Sequence, residues 1–266
     1  MAFHTCFLES GLNHFLKGSL NAVFRCYFLV PLLAAFALSD ALGEGNGRVF
    51  ADWETSVEGE PPLKEQQDLS IRWQSPGIVM VLNELTDPAS PFPENGKAIS
   101  VTKTEGAEGR ARFLLKGQAF AAPAEAGWLE AELFIRSGAG IRLAFFSGGT
   151  LVTSALADDK DRGEGLITVN LLTETGSYVT LVAENAMNLF FRDTTPSDLP
   201  FVFRTSWEAL GDTIIFTFEL DGTPVLDKGG NLASYVVTSA SKPGGVDFFT
   251  ISGEELSIGK ISVSKE

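Results

Sequence analysis

Histidine and cysteine are almost missing from this 266-residue chain. There are two of each, and His4, Cys6, His14 and Cys26 all fall within the first 26 positions. Basic residues are also scarce, with 20 lysines and arginines against 34 aspartates and glutamates and a net charge of −14. A surface of that sign repels phosphate backbones, which excludes nucleic acid as a partner. No stretch beyond about three turns keeps apolar residues in step with a helix, and interleaved βαβ units are lacking, so a nucleotide-binding α/β fold is excluded. What is present is globular material, 44% hydrophobic and 20% charged, too apolar for a disordered chain.

The rare residues cluster where a leader is expected. From Tyr27 to Leu38 the chain is apolar, Lys17 and Arg25 precede that run, and small residues follow through Gly43. The run has the length of a signal-peptide core, whereas a membrane span needs roughly 20 apolar residues. Pro31 argues against a buried first helix. Cleavage is expected after Gly43 (Ala41-Leu42-Gly43), with Ala41 (Ser39-Asp40-Ala41) as the alternative. The segment ahead of Lys17 is long for a leader, and a start at Val23 gives a more typical one; precursor peptides from residues 1–22 would contradict that start. Cys26 follows Val23-Phe24-Arg25 and lacks a lipobox, and the chain ends soon after a strand near Val263, so the mature protein is expected to carry neither lipid nor transmembrane anchor. The expected organisation is a signal peptide over 1–43 and one domain over 44–266, exported to the periplasm or the medium.

Loss of the leader removes every histidine and cysteine. The mature protein then has no Ser-His-Asp triad, no thiolate nucleophile and no standard zinc site. The leader holds two basic (Lys17, Arg25) and two acidic residues (Glu9, Asp40), so the charge of −14 is unchanged. The roughly 220 residues left are enough to bury a core without disulfides.

Beyond Phe50 the sequence alternates apolar and polar residues, with turn residues every 8 to 12 or so positions, as in a β-sandwich or barrel. In Trp128–Arg136, Leu129, Ala131, Leu133 and Ile135 share one face; Trp128, Glu130, Glu132, Phe134 and Arg136 share the other. Further strands are expected over 78–82, 98–102, 111–118, 141–146, 166–172, 178–183, 201–207, 213–220, 234–238, 246–251 and 256–263. Glu94-Asn95-Gly96 and Asp221-Gly222 supply the positive φ of tight hairpins, and the proline cluster over 87–93 marks a long loop.

The segments Phe50-Ala-Asp-Trp-Glu54, Gly96-Lys-Ala-Ile-Ser-Val101, Phe216-Thr-Phe-Glu-Leu-Asp-Gly222 and Val246-Asp-Phe-Phe-Thr-Ile-Ser252 occur in the order seen in LamG-like jelly rolls of secreted bacterial proteins. The span from about 48 to 264 resembles the concanavalin A-like lectin/glucanase superfamily. The resemblance implies an all-β, two-sheet antiparallel sandwich whose concave sheet often presents a carbohydrate site.

Three constellations follow. Trp128, Glu130, Glu132, Phe134 and Arg136, joined by Arg142 and by Arg204 with Glu208 from later strands, would form a sugar-binding face, since ring faces are apolar and hydroxyls need charged partners. The bland alternative is a solvated strand face. The glucanases of the superfamily carry a Glu-x-Asp-x-x-Glu strand signature, and Glu130 with Glu132, about 6.6 Å apart along a strand, is the nearest approach to it. Here Glu132 stands in place of Asp, and Ile135 or Arg136 replaces the third acid, so the hydrolase is the alternative and a non-catalytic module the expectation. Asp158, Asp159 and Asp161 are weak calcium candidates whose spacing departs from an EF-hand at Gly163 and Asn170. Asp52 with Asp247 is a weaker pair still. Without those ions no cofactor is expected. The expected partner is a polysaccharide or cell-surface glycan; the third reading, a structural surface protein, draws on the 21 phenylalanines, including the 145–146, 190–191 and 248–249 pairs that turn one ring to each sheet face.

Overall fold

The computed structural model describes residues 47–63, 65–66, 69–74, 78–83, 92, 96–102, 112–118, 120, 123–136, 139–147, 165–173, 178–184, 193–196, 199–227, 229–251 and 255–264. The chain divides into units Met1–Gly45 and Asn46–Glu266, and all described residues lie in the second. The expected leader and its cleavage sites lie outside them.

The described residues form seventeen strands and no helix, in two antiparallel sheets. One is nine-stranded, in the order β14 (Thr223–Pro224), β13 (Thr213–Leu220), β12 (Phe201–Leu210), β7 (Ala126–Ile135), β17 (Glu255–Ser264), β5 (Lys97–Thr102) and β4 (Ile78–Asn83). In addition β1 (Gly47–Ala51) pairs with β17, and β15 (Ser234–Thr238) with β13. The other is eight-stranded: β11 (Asp193–Pro196), β10 (Tyr178–Glu184), β9 (Gly165–Thr173), β8 (Gly140–Ser147), β16 (Pro243–Ile251), β6 (Arg112–Gln118), β3 (Leu69–Gln74) and β2 (Glu65–Gln66). The chain passes repeatedly from one sheet to the other, as in a jelly roll, and the expected all-β, two-sheet sandwich is the fold observed.

Alternation decides which side of each strand is buried. Leu129, Ala131, Leu133 and Ile135 of β7 are wholly inaccessible, as are Phe203, Ile214, Phe216 and Phe218 from the neighbouring strands. From the opposite sheet come Ile141, Leu143, Phe145, Val169, Leu171 and Phe248. The sheets meet where the Phe145 ring lies 5.8 Å from Trp207 and 5.6 Å from Phe216. Each buried Leu, Ile, Val and Phe side chain among these contributes about 1.5–3 kcal/mol relative to exposure, which is why the layers close without staples.

The strand set differs from the expected one by β1, β2, β3, β11 and β14. Two residues (β2, β14) or Asp-Thr-Thr-Pro (β11) carry no alternation to detect. By contrast β3, Leu-Ser-Ile-Arg-Trp-Gln, alternates as clearly as any expected strand. The Asp221-Gly222 turn adopts the expected positive φ, +50° and +69°, and Asp221 Oδ1 accepts from Val202 N at 2.8 Å. Of the phenylalanine pairs, Phe145 and Phe248 are core and Phe146 is half-buried; residues 190–191 and the Phe249 side chain lie outside the described set.

Candidate functional site

The face of β7 turned away from the core carries Trp128, Glu130, Glu132 and Phe134, with Arg136 just past its end. Strand β12 lies alongside and places Arg204 opposite Glu130 and Ser206 opposite Trp128. Glu208, also facing out from β12, stands opposite Ala126. On the other flank β17 places Ser262 beside Glu130.

At the Trp128 end the indole is closely packed. The Arg204 guanidinium carbon sits 4.4 Å from the ring centroid, an arrangement worth about 0.5–2 kcal/mol depending on desolvation. Gly47 of β1 lets the ring approach its backbone, since a Cβ there would lie 2.6 Å from Trp128 Cη2. The Trp128 backbone N–H donates to Ser264 Oγ at 3.2 Å. Arg204 Nη1 is 4.0 Å from Glu130 Oε2, with the two side chains 18% and 37% exposed. Two donors in this stack, Trp128 Nε1 and Arg204 Nε, are buried and have no hydrogen-bond partner.

The Glu132 end is built differently. Register between β17 and β7 slips between Ile258 and Ile261, a bulge whose backbone groups need other partners. Glu132 Oε2 accepts the Lys260 N–H at 2.9 Å. Trp53, fully buried, donates Nε1 to Gly259 O at 2.8 Å and Ile258 O at 3.1 Å. The loop bearing Trp53 is tied down in turn, because Lys97 Nζ donates to Glu54 O at 2.8 Å and Ser56 O at 2.7 Å.

These placements differ from the sequence expectation in three respects. Trp128 and Phe134, expected as open rings, are 5% and 4% exposed. Arg204 covers the first. Phe92 and Ala98 pack with the second, and Arg136 stands 5.2 Å above its ring. Arg142 does not join this face, because the chain crosses to the eight-stranded sheet after β7; there Arg142 Nε donates to Asn170 Oδ1 at 2.9 Å. Glu130 and Glu132 share a face as expected, but have different partners, an arginine and a backbone amide.

The calcium candidates Asp158, Asp159 and Asp161 lie outside the described residues. Asp52 follows β1 of the nine-stranded sheet, whereas Asp247 is on β16 of the other. Among the described residues no group of three or more His, Cys, Asp or Glu is placed to hold a metal ion. Nor, among them, is any helix long and apolar enough to cross a membrane. Sequence reasoning missed Gly47, Trp53 and Lys260. Each acts through a partner at least 80 positions away, and no local pattern signals such a pairing.

No family model matches the chain, and no curated protein matches it significantly. Similar solved structures include the carbohydrate recognition domain of Emp47p, with 9% identity, a TM-score of 0.47 and coverage of 84% of this chain and 96% of that one. The potassium-bound carbohydrate recognition domain of Emp46p shows 14% identity, a TM-score of 0.45 and coverage of 81% and 95%. A legume lectin-like domain from Entamoeba histolytica shows 9% identity, a TM-score of 0.42 and coverage of 75% and 91%. At these identities and scores the likeness bears on neither ligand nor site.

Proposed function

We propose that the protein is an exported, non-catalytic, LamG-like module that binds a polysaccharide or cell-surface glycan through the outer face of its nine-stranded sheet, around Trp128, Glu130 and Arg204. The observation that carries this reading is the pair of buried donors without partners, Trp128 Nε1 and Arg204 Nε, beside the part-exposed carboxylate of Glu130. An unsatisfied buried donor costs about 1–3 kcal/mol, and sugar hydroxyls offer the acceptor oxygens such donors need while donating to a carboxylate. The hydrolase alternative asks Glu130 and Glu132 to flank a glycosidic bond; the engagement of Glu132 with Lys260 N–H favours the module.

Affinity electrophoresis through gels containing a panel of polysaccharides, with calcium and with chelator, tests this. Retardation by at least one glycan, lost in Trp128→Phe, is the expected result. No retardation by any of them would overturn it and leave the structural surface protein, for which a concentration-dependent sedimentation coefficient is the positive sign. Hydrolysis of a β-glucan abolished by Glu132→Gln would overturn it in favour of the enzyme.

A further inference from the structure

We infer that Arg204 is a movable cover on Trp128, and that the sugar unit taking its place is an uncharged pyranose. The inference rests on the glycan-binding reading above and adds to it the ligand's class and its mode of entry.

Trp128 is the largest side chain on the outer face of β7, yet it is 95% buried, and the guanidinium 4.4 Å above its ring is what stands between it and solvent on that side. The cover is poorly fastened. Its Nε has no partner, and its one charge contact, Nη1 to Glu130 Oε2, is 4.0 Å long, beyond the 2.7–2.9 Å of a charge-assisted hydrogen bond. Rotation of the arginine about its flexible stem frees the indole face, brings Nε to solvent or ligand, and breaks no hydrogen bond of either side chain. The ring's Cη2 and Cζ2 atoms are held close against Gly47, so the platform stays in place when the cover leaves. An apolar pyranose face then matches the indole, as Arg204 does in its absence.

Charge decides among sugars. The outward positions of β7, β12 and β13 include Glu130, Glu132, Glu208 and Glu219, against Arg204, Arg136 at the end of β7 and the exposed Lys260 of β17, on a chain of net charge −14. A uronate or sulfated polymer meets net repulsion there. A neutral glycan meets two donors in need of acceptors and a carboxylate able to accept from a hydroxyl.

The test uses the full chain, wild type and the variants Arg204→Ala, Arg204→Met and Trp128→Phe, with laminarin, galactan and mannan as neutral probes and alginate and polygalacturonate as anionic ones. Two readouts are taken: gel retardation, and acrylamide quenching of tryptophan emission. In Arg204→Ala the quenchable fraction should rise by the share of one of the four tryptophans. A saturating neutral glycan should reverse that rise. Arg204→Met, which keeps an apolar stem over the ring, should quench like wild type and shows whether a change in Arg204→Ala reflects uncovering or misfolding. The Arg204 variants remove a donor of the site and are read by quenching and its reversal, whereas Trp128→Phe should lose at least tenfold in affinity for the neutral glycan. A neutral glycan bound without protecting Trp128, or anionic polymers bound in preference, would overturn the inference and leave the glycan-binding reading standing. No polysaccharide bound at all would overturn that reading, and the inference with it.

Discussion

The two ends of one face of β7, Trp128 and Glu132, are about 13 Å apart along the strand and are held in opposite ways. Around Glu132 the polar groups of the bulge find partners, with Lys260 N–H on the carboxylate and the Ile258 and Gly259 carbonyls on Trp53 Nε1. Around Trp128 a charged group lies on a ring, and two buried donors go without. Both ends place an acid beside a tryptophan, and composition alone would treat them alike. The difference lies in satisfaction: a carboxylate used to close a backbone irregularity is architecture, whereas donors buried without acceptors are expensive unless something else supplies them.

The largest effect is expected at the satisfied end. Trp53→Ala empties a fully buried site and strands two carbonyls, and should cost about 3–5 kcal/mol in urea unfolding. Gly47→Ala drives a methyl to within 2.6 Å of the Trp128 ring, an overpacking expected to cost about 1–3 kcal/mol, and it should also weaken glycan retardation by shifting the platform. Glu132→Ala leaves Lys260 N–H to water and should cost about 1 kcal/mol, with retardation unchanged. Trp128→Phe sharpens the contrast, because it removes an orphaned donor along with part of a ring; its stability should stay within about 1 kcal/mol of wild type while glycan retardation is lost. A Trp128→Phe loss as large as that of Trp53→Ala would mean that the two ends are not different after all.

The smallest effect lies away from this face, in the loop closed by the Leu226–Leu232 bridge. The Asp227 carboxylate is held below its ordinary value of 3.8, first by the Asn231 backbone N–H, with the Asn231 side chain and Gly229 N–H assisting. A carboxyl whose folded value is depressed adds stability above its unfolded pKa and loses it as pH falls through the folded one. The wild-type advantage over Asp227→Ala should therefore be constant from pH 7 to about 5 and shrink below about pH 4, as urea titrations at each pH would record. As Asp227 is part-exposed in a surface loop, where solvent screens its charge, the change is expected to be slight.

How much of this the sequence discloses depends on how far apart the partners are. Alternation along Trp128–Arg136 sorted core from outer face correctly, because a two-residue period is local: Leu129, Ala131, Leu133 and Ile135 are all buried. The Asp221-Gly222 turn was legible for the same reason. Which outer residues stay open was not legible. Trp128 is covered from β12, 76 positions on, and Phe134 packs with Phe92, from the proline-rich segment read only as a loop. Sheet membership was equally hidden, which is how Arg142 came to be grouped with a face that its strand does not share. The bulge in β17 did leave a mark: Leu256 and Ile258 keep one phase of the two-residue period and Ile261 and Val263 the other, so the alternation breaks at Gly259-Lys260, where the pairing with β7 slips.

One gel series tests the central claim most directly: wild type, Glu132→Gln and Trp128→Phe run side by side through a retaining neutral polysaccharide, each first confirmed to unfold cooperatively. Retardation of wild type and Glu132→Gln with free passage of Trp128→Phe is the predicted result. Retardation of Trp128→Phe equal to wild type, or its loss in Glu132→Gln alone, would contradict the assignment of ligand binding to the unsatisfied end of the strand.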